Sequence, residues 1–327
     1  MELILADIDG TELKTVDENI DIDLGKNNDF EMPVQYARWQ GEYTYGRRIY
    51  IPGTEYGGTI GEISSVTDDE MIYVRGYTWR GLLEGKIIEP EAGKDYQIVS
   101  GELNTILGTL AAGRFDGLFA ADDKDTGIKI NGYRFEPYCS LLDGIRTMLG
   151  SVGYRLKISY IQTKEAGYVK LEAVPIKDYS NKIEISQDSR LNFVCTDSRM
   201  GINHLICLGK GELKDRTVVH LYAQADSTVG LKPYYTGMDE RAAVFESDNS
   251  EREDLTEKGT EKLLDLMNYV EFSTDTSDTD DINMEIGDTI SGRDYITGIY
   301  VKKPIIGKVL KIKEQDIKVE YKIEGDN

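Results

Sequence analysis

His204 and His220 are the only imidazoles in the chain, and they sit on either side of the turn-rich stretch Gly209–Asp215. A hairpin centred on Glu212 makes them cross-strand neighbours, because both are equally far from that residue. Two imidazoles and a carboxylate are a zinc-ligand set by type. Cross-strand polar pairs are more often structural, and that is the expectation here. Gly209-Lys210-Gly211 follows a β-capable run and has the look of a nucleotide loop. A dinucleotide fingerprint needs a third glycine where Lys214 stands, and a P-loop needs Ser or Thr where Gly211 stands. The expected structure is a hairpin turn.

Two acidic groups have cation-binding oxygens: Asp122, Asp123 and Asp125, and Asp275, Asp278, Asp280 and Asp281. Neither has the glycine and terminal glutamate of an EF-hand loop, so solvated loops are expected. With 59 acids in the chain, a pair of carboxylates suited to glycoside hydrolysis arises by chance and is no evidence for it. No Gly-x-Ser-x-Gly elbow and no HExxH motif occurs. Trp39, Trp79 and 21 tyrosines are candidate sugar-stacking platforms, although tyrosine suits strands and protein interfaces equally. No catalytic, cofactor-binding or metal-ligating residue is therefore assigned, and no cofactor is expected.

The elements that would position these residues are mostly strands. The run 316–323 alternates Ile317, Val319, Tyr321 and Ile323 against Lys318, Glu320 and Lys322, which puts the apolar set on one face of a strand. In the run before it, Val309 breaks phase with Leu310 and Ile312, which predicts a β-bulge near Lys308–Leu310. Residues 3–16 predict a hairpin around Asp9-Gly10. Further strands are expected over 41–51, 58–66 and 71–77, over 154–160 with 169–173, and over 204–208 with 216–223.

Helical spacing of Val99, Leu103, Ile106, Leu107 and Leu110 predicts one helix, stopped at Gly113. Tyr138, Leu141, Leu142, Ile145, Met148 and Leu149 form the stripe of a second. A longer helix is expected over about 251–270, burying Leu255, Leu263, Leu264 and Met267. The fold class expected is α+β, mainly β: two β-barrel-like domains with an α/β insertion. The boundaries are 1–90, 91–186 and 187–327.

The chain has 327 residues and a net charge of −21, and its acid is concentrated. Residues 1–31 hold ten acids and two lysines, and residues 239–285 hold sixteen acids and four basic residues. Such surfaces disfavour binding to phosphate backbones. No apolar run approaches the ~20 residues of a membrane-spanning helix, and no signal peptide is visible. Cys139, Cys195 and Cys207 form no CxxC pair, and an odd count argues against a disulfide framework. Folding in a reducing cytoplasm is expected.

Four passages carry a resemblance: IYVRGYTWRGLLEGKII at 72–88, NHLICLGKGELKDRTVVHLYA at 203–223, LTEKGTEKLLDL at 255–266 and IGDTISGRDYITGIYVKKPIIGKVLKI at 286–312. Together they resemble the ReqiPepy-like, siphophage-type tail proteins of phages and prophages, a family related to baseplate hub proteins. Lys86 stands where that pattern has arginine. The resemblance implies a non-enzymatic structural protein of the virion tail. Its partners would be further copies of itself, as a homotrimer, and neighbouring tail-tube and tail-tip proteins. DNA would pass through the central channel without specific binding, and no membrane would be contacted. Longer relatives carry a peptidoglycan-cleaving domain at the C-terminus, and none is expected here after Ile323. The alternatives are a glycan-binding tail-tip module and a cell-wall hydrolase.

Overall fold

The computed structural model describes residues 2–163, 167–180, 184–186, 192–225, 228–267, 269–275, 284–313 and 316–323. They fall into two units. The first comprises residues 1–193, 273–293 and 302–324, and the second 194–272, 294–301 and 325–327.

The first unit is built on a long, mostly antiparallel sheet. Its strands run in the order Asp316–Ile323, Tyr300–Lys313, Ile20–Leu24, Asp29–Gln35, Met71–Thr78, Gly57–Val66, Arg48–Tyr50, Leu3–Ala6 and Glu12–Val16. The hairpin expected at 3–16 forms, with Leu3 opposite Val16 and Gly10 at φ +93° in the turn. The acid-rich start of the chain holds two strands beyond those predicted. Ile20, Ile22 and Leu24 are buried between Asp21 and Asp23, and Phe30, Met32 and Val34 alternate in the same way. Period two thus separates core from charge within the most acidic stretch.

The C-terminal strands close onto this N-terminal pair, with Lys308 opposite Leu24 and Ile312 opposite Ile20. Gly25, at φ +105°, makes the approach: a Cβ there would lie 2.1 Å from the Ile306 carbonyl oxygen. The ladder irregularity falls between Ile305 and Gly307, just before the predicted Lys308–Leu310 position. The sheet ends at Glu12–Val16 without pairing back, so it is open where a barrel-like closure was expected.

On this framework sit the pairs Ile98–Glu102 with Lys129–Arg134 and Tyr154–Gln162 with Gly167–Pro175, the latter extended in parallel by Phe119–Ala121. Helices Trp79–Glu84, Leu103–Ala111 and Leu141–Gly150 share one core with them, from Trp79 and Tyr50 to Leu149 and Leu171. Val99 belongs to a strand rather than to the helix, which begins at Leu103 behind its cap Glu102. Ser140 caps the next helix, leaving Tyr138 outside it and exposed.

The second unit is a small sheet ordered Val229–Gly230, Val218–Ala223, His204–Leu208 and Ala242–Glu246, the last pair parallel. Helix Arg252–Leu266 covers it, burying Leu255 and Leu263 against Leu205, Cys207, Val219 and Leu221. Leu264, expected on the buried side, is half exposed: it adjoins Leu263 and so points away from the sheet. The third buried position of the helix is Gly259, where a Cβ would lie 2.4 Å from Cys207 Sγ and 2.7 Å from Leu221 Cδ1. Gly259→Val should therefore destabilise this unit by ~1–3 kcal/mol through overpacking. Thermal unfolding followed by far-ultraviolet circular dichroism checks this, and an unchanged midpoint would mean that the helix moves off the sheet at no cost.

Candidate functional site

The strand pair His204–Leu208 and Val218–Ala223 turns on Leu213, one residue beyond the expected centre, so His204 faces Tyr222 and Ile206 faces His220. The two histidines are consequently diagonal neighbours on one face, and they still meet. His204 Nε2 lies 2.8 Å from His220 Nδ1, and His204 Nδ1 lies 2.6 Å from Glu240 Oε1. The His204 ring also stacks on Tyr222, with centroids 4.4 Å apart. Both nitrogens of His204 are engaged in this carboxylate–imidazole–imidazole chain. No Ser, Thr or Cys side chain among the described residues hydrogen-bonds to either ring. Among the described residues no group of three or more His, Cys, Asp or Glu is arranged to hold a metal ion.

Gly209-Lys210-Gly211 forms the expected hairpin connection. The Gly209 amide donates to the Thr217 carbonyl and the Thr217 amide to the Lys210 carbonyl, each at 2.8 Å, and Gly211 adopts φ +108°. The loop closes on its own backbone and leads into a strand, without the helix N-terminus that cradles phosphate. In the first acidic group, Asp122 pairs with Lys170 at 2.8 Å and Asp125 accepts the Gly127 amide at 2.7 Å. Asp278, Asp280 and Asp281, the side chain of Asp275 and that of Cys195 lie outside what is described. Trp79 is fully buried and stacks on Tyr160 at 5.2 Å, which removes it as a sugar platform. Trp39 is half-buried beside Tyr43.

The strongest electrostatic features of the first unit were not predicted from sequence. Glu55, Arg80 and Lys308 are all buried. Arg80 donates to Glu55 Oε2 from Nε at 3.2 Å and from Nη2 at 2.9 Å. Lys308 Nζ lies 3.1 Å from Glu55 Oε1, also donates to Glu285, and stands 5.1 Å over the Tyr56 ring. Burial alone would raise the Glu55 carboxyl; Arg80 and then Lys308 outweigh it and hold the group well below the ordinary carboxylate range.

A second buried pair joins Arg155 to Asp288, with Nε donating to Oδ1 at 2.7 Å and Nη2 to Oδ2 at 3.2 Å. The amides of Lys177 and Glu285 complete the shell of Asp288, at 2.9 and 3.2 Å. Asp288 is the acid of the Gly287-Asp288 pair in the fourth resembling passage, while its partner lies in a strand far earlier in the chain. Hydrophobic periodicity carries no signal for such a pairing.

Glu102 shows the consequence for pH. Burial raises its pKa, but the Thr126 hydroxyl and amide and the Thr105 amide hold it down to about 2. Because the folded-state value is depressed, its contribution is complete above the ordinary value of 4.5 and is lost as pH falls towards 2. Glu102→Gln should be less stable than the parent at pH 7 and should converge with it near the folded-state value. Urea midpoints across this range test the sign, and a constant difference would contradict it.

No protein-family model matches the sequence, and no curated protein matches it significantly. Among solved structures, the chain is similar to a tail protein from Neisseria meningitidis at 13% identity and a TM-score of 0.52, over 98% of this chain and 95% of that one. It is also similar to the 43 kDa tail protein of prophage MuSo2 from Shewanella oneidensis, at 11% identity and a TM-score of 0.56, over 99% and 98% of the two chains. At these identities the likeness is one of fold. The chain has the mainly β fold of these tail proteins, with helices packed on several open sheets.

Proposed function

We propose that the chain is a structural, non-enzymatic component of a phage or prophage tail, acting as a baseplate hub of the siphophage-type, ReqiPepy-like family. The observation that carries this reading is the near-complete mutual coverage with the Neisseria and Shewanella tail proteins, which leaves no large part of either fold unmatched. In this role three copies form a ring joining the tail tube to the tip, and DNA leaves through the central channel without specific contacts. The task is geometric, and it needs rigid sheets fixed by buried pairs such as Arg155–Asp288 more than it needs a reactive residue.

The acid-rich segments 1–31 and 239–285 fit a channel wall in part, because negative potential there keeps DNA from adhering. The decisive measurement is the mass and shape of the purified protein, alone and with the protein that ends its tail tube. A ring of three copies with a central channel is expected in the presence of that partner. A monomer under both conditions would refute the hub. A ring carrying both acidic segments wholly on its outside would refute the charge argument alone.

A further inference from the structure

The first unit contains a cavity of about 510 Å³ whose wall includes three arginines, Arg80, Arg146 and Arg155. That volume is in the range of small-molecule pockets and well above what a bare ion fills. Arg80 and Arg155 are held from behind. Each uses Nε and Nη2 on a buried carboxylate, Glu55 or Asp288, and neither carboxylate belongs to the cavity wall. Each is left with an Nη1 that makes no hydrogen bond among the described residues. A guanidinium has five N–H donors, so three remain on each rigidly held arginine, two of them on Nη1.

Arg146 differs. It makes no hydrogen bond among the described residues, and its nearest carboxylate oxygen, on Asp143, is 3.8 Å away. That is beyond hydrogen-bonding distance. Asp143 is itself engaged by the helix cap, where Ser140 Oγ donates to it at 2.7 Å. The Arg146 side chain is 40% exposed; partial burial and then the neighbouring Arg80 lower its pKa, while Asp143 and Glu84 act against that shift. Asp143, Thr147 and Tyr154 add polar groups to the wall, and Leu156, Ile176, Ile286 and Pro304 form its apolar part.

We propose that this cavity is an oxyanion site, taking a carboxylate or phosphate group on a compact apolar body, with Arg146 as its principal ligand. The anion supplies the bidentate partner that Arg146 lacks, and the body lies on the aliphatic wall. Two sources carry such a group: a free small molecule, or an acidic side chain flanked by apolar residues on another polypeptide.

Isothermal titration of the full chain with phenyl phosphate, with the capped peptide acetyl-Ile-Glu-Ile-amide and with inorganic phosphate tests the site. Either organic probe should bind more tightly than inorganic phosphate. Preference for phenyl phosphate identifies a free ligand, and preference for the peptide identifies a protein side chain. Arg146→Ala should weaken binding of the preferred probe by about tenfold to a hundredfold. Thr147→Glu, which keeps Arg146 and adds a carboxylate to the wall, should weaken it at least as much. Circular dichroism on both variants confirms the fold. The proposal is overturned if neither organic probe binds at millimolar concentration, if inorganic phosphate binds as tightly as both, or if two folded variants bind like the parent.

Discussion

Lys308→Met should lower the stability of the first unit by ~3–5 kcal/mol, about the cost of stranding a buried charge. Lys308 is 2% exposed, and its ammonium faces Glu55 Oε1 at 3.1 Å and the Glu285 carboxylate. Methionine matches its length and supplies apolar contact, so little of the loss comes from packing. What remains is Glu55, 6% exposed, with Arg80 on one oxygen and nothing charged on the other. Adding Glu55→Gln also takes the buried anion from Arg80, so the double variant is expected to lose more than Lys308→Met alone, and a double-mutant cycle isolates the Lys308–Glu55 coupling from that further loss. Both tryptophans of the chain, Trp39 and Trp79, lie in this unit, so urea unfolding followed by fluorescence reports on it alone. Additive losses in the cycle would mean that the Lys308–Glu55 contact carries no coupling.

The elements were legible wherever one face of an element is buried. Ile317 to Ile323 in one strand, Leu141 to Leu149 in a helix and the hairpin at Asp9-Gly10 each signal themselves within a few residues. The strand Ile20–Leu24 has an equally clear alternation, yet its aspartates read as part of an acidic surface; net charge over a window hides what parity shows. The His204–His220 contact was legible to within one residue of register. A diagonal pair on an antiparallel sheet still brings long side chains together, which is why the error did not separate them.

Charge pairing was not legible. Lys308 occupies a strand position of the same parity as Leu310 and Ile312, and nothing nearby distinguishes a lysine that snorkels to water from one that meets Glu55. The three arginines of the cavity likewise come from three separate helices and strands. They converge only once the tertiary fold exists, so no local spacing encodes them.

Asp288→Ala is expected to cost a similar ~3–5 kcal/mol, by a different route. Asp288 is fully buried, and its two oxygens accept four N–H groups: Nε and Nη2 of Arg155 and the amides of Lys177 and Glu285. Truncation leaves a buried guanidinium without its anion and two amides without acceptors, each orphaned group adding its own desolvation cost. Asp288→Asn separates the two effects. Its single carbonyl oxygen serves one side of the fork while its amide nitrogen, a donor, opposes the other, so most of the loss should persist. Hydrogen exchange gives a local signature: the Lys177 and Glu285 amides should exchange faster in Asp288→Ala, while those of the distant pair Met32 and Val74 should change only by the global loss. If Arg155→Leu restored the stability lost in Asp288→Ala, the unpaired cation would be the dominant cost. If it deepened the loss, the amides and the packing of the Arg155 side chain would dominate, and Gly287-Asp288 would act chiefly as a backbone clamp.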